Sequence, residues 1–111
     1  MDIDEWGMDP QVRFLRRAFS QMEKTQRDLL ERLGISPFDE RLRRIRDATL
    51  KLFEKVWGIA SRWGMTMSEE EITEIYTHCL AYILQRFRIQ VPKELLTHNE
   101  KIERLVQEAT R

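Results

Sequence analysis

The stretch Ser68 to Gln90, SEEEITEIYTHCLAYILQRFRIQ, constrains the fold more than any other part of the chain. Ser68 and Glu71 stand at the spacing of a capping box, in which the serine hydroxyl accepts the Glu71 backbone N–H and the glutamate carboxylate accepts the Ser68 N–H. Glu69, Glu70 and Glu71 put negative charge where the helix macrodipole favours it. Beyond them Ile72, Ile75, Tyr76, Cys79, Leu80, Ile83 and Phe87 cover about 140° of a helix surface, and Tyr82 and Leu84 widen the arc to about 200°. A face that wide needs neighbours on two sides. The stretch is therefore predicted to be the central helix of a bundle, ended by Pro92 because the residue before a proline is pushed out of helical geometry.

The neighbours can be read on either side. Asp9 and Pro10 form an N-cap followed by proline at the first helical position, and Gly34 stands where a helix favours a left-handed residue past its end. Between them Val12, Leu15, Phe19, Met22, Leu29 and Leu33 alternate by four and three, with Gln26 as the polar seam position. Ser36 and Pro37 repeat the cap-and-proline signal, so a second helix is expected from Pro37 to Trp63. Its seam is Phe38, Leu42, Ile45, Thr49, Leu52, Val56, Ile59 and Trp63. The short connection predicts an antiparallel hairpin with the two seams face to face and Gln26 near Ile45 and Thr49. A second stripe, Leu50, Phe53, Trp57 and Ala60, is expected to be covered by the helix starting at Ser68. A last helix is expected from His98 to Ala109, with Thr97 and Glu100 at capping-box spacing and a helical turn over Pro92 to Leu96. No segment alternates with a period of two, so the predicted fold is an all-α antiparallel helical bundle of four helices, three long and one shorter at the C-terminus. Residues 1–9 read as an acidic N-terminal tail with Trp6 as its anchor, and residues 10–111 as a single domain.

Charge narrows the function classes. Nineteen basic residues balance nineteen acidic ones, leaving no overall field to steer the chain to nucleic acid or membrane. The balance conceals a gradient: residues 1–9 carry four carboxylates and no cation, whereas residues 10–62 carry thirteen basic and seven acidic side chains. Fourteen of the nineteen cations are arginine, the cation suited to paired contact with carboxylate or phosphate. The single cysteine, Cys79, excludes an internal disulfide and a cysteine-based zinc site. With no apolar run of membrane-spanning length and no secretory signal in MDIDEWG, a cytoplasmic location and no membrane partner are expected.

No catalytic or metal signature emerges. Glu74 and His78 share a helix face, but the di-iron bundle pattern needs Glu-x-x-His on two helices and two further glutamates. Solvated histidines outweigh a metal site at His78 and His98. Cys79 lies inside the apolar arc and reads as a small core side chain rather than a nucleophile. No cofactor is expected. Two features remain. Phe14 falls outside the first seam and, with Phe53 and Trp57, forms a candidate protein contact rimmed by Arg13, Arg17 and Arg44. Arg13, Arg16 and Arg17 in the first helix and Arg41, Arg43, Arg44 and Arg46 in the second form a candidate phosphate-binding set at opposite ends of the hairpin. The leading expectation is a non-enzymatic helical protein–protein interaction module, a homo-oligomer or small subunit of a larger assembly. The alternative is a nucleic-acid-binding helical subunit, and an enzyme using Tyr76, His78 or a glutamate in an interhelical pocket comes third.

Overall fold

The computed structural model describes residues 10–111, except the side chains of Pro10, Gln11, Val12 and Leu15. The acidic segment with Trp6 and the expected cap Asp9 lies outside the described residues, as do the seam side chains Val12 and Leu15. Among the described residues four α-helices form the bundle: α1 (Pro10–Arg32), α2 (Leu42–Arg62), α3 (Glu69–Arg86) and α4 (Glu100–Ala109), with a 3-10 turn at Lys93–Leu95. Among the described residues there is no strand.

α3 is the hub, packing against α1, α2 and α4, while α4 also covers α2. Both halves of its capping box form: Glu71 N–H donates to Ser68 Oγ at 3.1 Å, and Ser68 N–H to Glu71 Oε1 at 3.3 Å. Ile75, Cys79, Leu80 and Leu84 have no exposed surface, as a helix wrapped on several sides requires. The helix stops at Arg86, short of the expected Gln90. Arg88 takes a left-handed backbone with φ 63°, and Ile89 N–H donates to Leu84 O at 2.9 Å. This 6→1 closure ends the helix before Pro92 can act. α1 and α2 end the same way, with Gly34 (φ 72°) and Gly64 (φ 69°) in the left-handed position.

The facing-seam hairpin does not form. α1 and α2 lack an extended helix-to-helix contact, and each packs on α3 instead. α1 runs in the same sense as α3, Arg17 meeting Glu69 near their starts and Gln26 meeting Tyr76 further along. α2 runs against α3, so that Phe53 meets Tyr76 and Arg44 meets Phe87. The buried line on α1 is Ala18, Met22, Gln26, Leu29 and Leu30, which leaves the expected seam residue Phe19 47% exposed. Gln26 finds its partner in the Tyr76 hydroxyl rather than beside Thr49, whose own hydroxyl donates to Ile45 O at 2.7 Å. Ile45, Thr49, Leu52, Val56 and Ile59 are buried as expected, but under α3 and α4.

Local polar chemistry also shifts two helix starts. Ser36 accepts the Phe38 N–H on its hydroxyl and the Asp39 N–H on its carbonyl, and Asp39 then accepts the Arg41 N–H and two guanidinium bonds. Short polar side chains here capture the donors that a helix from Pro37 would use, so α2 begins at Leu42. The Arg41 guanidinium beside it holds the Asp39 carboxyl down at about 2. Phe38, expected in the seam, is left 90% exposed in this turn, and Trp63, at the other end of α2, is 50% exposed. At α4 the cap is Asn99 and not Thr97: its side chain accepts from Lys101 N–H and Ile102 N–H.

Candidate functional site

The gap between α1 and α2 is an apolar groove of about 250 Å³. Ala18, Phe19 and Met22 form its α1 wall, Leu50, Phe53, Glu54 and Trp57 its α2 wall, and Ile72 of α3 its floor. The groove follows from the packing. Both helices lean on α3, and the second stripe of α2 is only partly covered by it: Phe53 and Ala60 are buried, while Leu50 and Trp57 remain half-buried. Phe53 is fixed from two sides, stacked on Trp57 at 6.2 Å between centroids and edge-on to Tyr76 at 6.0 Å. Aromatic pairs at these separations attract one another by about 0.5–1.5 kcal/mol beyond their area burial, which favours this arrangement of the wall.

Two of the three expected contact aromatics, Phe53 and Trp57, therefore share the α2 wall of one groove. Phe14 is half-buried against the core and does not line it. Among the expected rim arginines, Arg17 donates through Nε to Glu69 Oε1 at 2.8 Å, and Arg13 is exposed near the start of α1. Arg44 lies at the far end of α2, its guanidinium 5.9 Å from the centre of the Phe87 ring. Sequence reasoning missed Phe19 and Met22 as groove residues because both counted as seam. The signal was present in Ala18, a small residue that lets α1 approach α3 with Phe19 turned to the edge.

The phosphate-binding set is split as expected. Arg13, Arg16 and Arg17 lie at the end where α3 begins, and Arg41, Arg43, Arg44 and Arg46 at the end where it finishes. Eighteen residues of helix put these ends about 27 Å apart. Arg17 and Arg41 are ion-paired with Glu69 and Asp39, and Arg43 and Arg46 are exposed.

A second, shallower depression of about 310 Å³ lies between α3 and α4, lined by His78, Tyr82, Gln85, Glu103, Gln107 and Thr110 among others. His78 Nε2 lies 2.8 Å from Thr97 O. A carbonyl only accepts, so this nitrogen carries the proton and ties down the approach to α4. Tyr76 is buried with its hydroxyl on Gln26, and burial pushes it up to about 12. Burial likewise pushes the Cys79 thiol up to about 12, so the thiolate that nucleophilic or metal chemistry needs does not form near neutrality. Among the described residues no three His, Cys, Asp or Glu side chains group as metal ligands would, and no helix is long and apolar enough to cross a membrane. No protein-family model matches the chain, and neither a curated protein nor a solved structure matches it significantly.

Proposed function

We propose that the protein is a non-enzymatic helical interaction module that self-associates through the α1/α2 groove. The observation that carries this reading is the groove itself, an apolar channel with a stacked aromatic wall and a half-exposed phenylalanine, Phe19, on its own rim. A two-fold interface uses the same patch on both subunits, so it must offer a knob and a hole together. Phe19 is the knob and the Phe53–Trp57 wall is the hole. Burying them removes apolar surface from water, which favours association by about 25 cal/mol for each Å².

Chemistry in the second depression has less support. Its histidine is committed through Nε2 to a backbone carbonyl, and Tyr76 and Cys79, which are buried outside its lining, stay protonated near neutrality. The test is absolute mass by light scattering after size exclusion, at low and at high salt. A dimer at both salts is the expected outcome, because an apolar contact is not screened. A monomer at concentrations well above micromolar would overturn self-association.

A further inference from the structure

Besides the groove, one end of the bundle combines an exposed ring with a concentration of arginine. α1 and α3 run together, so their C-terminal ends meet the start of α2. The fold thereby gathers Arg32, Phe38, Arg41, Arg43, Arg44 and Arg88 at one end. Seven arginines stand in residues 31–47 and 86–89 against four carboxylates, Glu31, Asp39, Glu40 and Asp47, and Asp39 is already held by Arg41.

Phe38 has no packing role that explains it. The turn that carries it is ordered by the Ser36 hydroxyl, the Ser36 carbonyl and the Asp39 carboxylate, yet the ring is 90% exposed. Because the turn already orders the backbone beneath the ring, stacking on it costs only the freedom of the side chain. Arg44 lies over Phe87 while its side chain stays exposed, which orients the guanidinium and leaves N–H groups free to donate in its plane. Arg43, in the first turn of α2, and Arg88, just past the end of α3, are both exposed.

We infer that this end binds single-stranded nucleic acid, with an unstacked base on Phe38 and backbone phosphates on Arg43, Arg44 and Arg88. A single strand fits better than a duplex, because a lone exposed ring can stack only on a base that has left its own stack. Charged contacts with one stacking platform give binding that tolerates sequence and is sensitive to salt. The site is separate from the groove, so loss of self-association leaves it in place.

The test is fluorescence anisotropy of a labelled oligo(dT) of about 15 nucleotides with the full chain. Three phosphate contacts predict binding at about 50 mM salt that weakens about 20-fold by about 200 mM. Phe38→Ala weakens it about ten-fold or more, Phe38→Trp keeps it, and Arg43→Gln with Arg88→Gln flattens the salt dependence. The exposure of Phe38 means that its variants fold, which circular dichroism melting verifies. Absence of a shift at low salt, equal affinity for Phe38→Ala, or equally tight binding of a duplex of the same length would each overturn the inference. Flotation of the chain with phosphatidylserine vesicles while the oligonucleotide stays free would assign this end to an anionic membrane instead, and equally overturn it.

Discussion

The Tyr76 hydroxyl donates to the side-chain carbonyl of Gln26, joining α3 to α1 inside the core, where both residues are buried. An amide in this position is tolerated in the one alignment of α1 on α3 that gives it a partner, so the bond selects register as well as adding stability. Tyr76→Phe leaves a buried carbonyl unsatisfied, and Gln26→Leu leaves a buried hydroxyl. Each is expected to cost about 1–3 kcal/mol. The pair Gln26→Leu with Tyr76→Phe removes both partners and is expected to cost less than the sum. Urea unfolding of the four proteins checks this, and strictly additive losses would mean that the bond carries no coupling.

Alkaline pH attacks the same core. Tyr76 and Cys79 are acids whose folded values are raised to about 12 by burial, from ordinary values of 10.0 and 9.0. The unfolded chain releases these protons first, so their contribution is complete below about 9 and is lost progressively as pH rises toward about 12. The urea midpoint should fall across that window. Cys79→Ala should delay the onset of the fall, and a thiol reagent should leave native Cys79 unmodified at neutral pH. Rapid modification without unfolding would contradict its burial.

Interactions closed within a few residues were legible in the sequence, and those that depend on which helix covers which were not. The Ser68–Glu71 box, the left-handed Gly34 and the stripe of Phe53 and Trp57 all follow from local spacing. The alternation of Phe19, Met22 and Gln26 announces one apolar side of α1 but does not name its partner. A short connection suggested α2, whereas the broad face of α3 had more surface to bury and took both helices. That choice moved Gln26 onto Tyr76, turned Phe19 outward and opened the groove. At Ser36 to Asp39 and at Asn99, competing short polar side chains decided the helix starts, and several residues in each stretch had the chemistry to win.

Arg88 offers a way to separate stability from binding. It has the φ of 63° that Gly34 and Gly64 adopt at the ends of α1 and α2, but it carries a side chain, and a non-glycine residue in the left-handed region costs about 1 kcal/mol or more. Arg88→Gly should therefore raise thermal stability by a few degrees while weakening the strand binding inferred for that end. A lower melting temperature would show that the Arg88 side chain makes contacts that outweigh its backbone cost.

Phe19 gives the sharpest test of the groove, because its roles in the fold and in association come apart. With 47% of its surface exposed at the rim, it adds little to the bundle, and Phe19→Ala should change the unfolding free energy obtained from urea denaturation by about 1 kcal/mol or less. Ile83, buried in α3, provides the contrast: Ile83→Ala should cost about 2–5 kcal/mol. If Phe19 is the knob of a two-fold contact, its truncation removes two apolar insertions from each dimer, since every residue of such an interface occurs twice. Light scattering across a dilution series should then find Phe19→Ala monomeric where the wild type is still dimeric, with both proteins melting alike below the dissociation range. An unchanged mass would move the interface away from the groove. A mass that falls together with a collapse in melting temperature would mean that Phe19 supports α1 itself, and that the groove wall rather than its rim holds the helix in place.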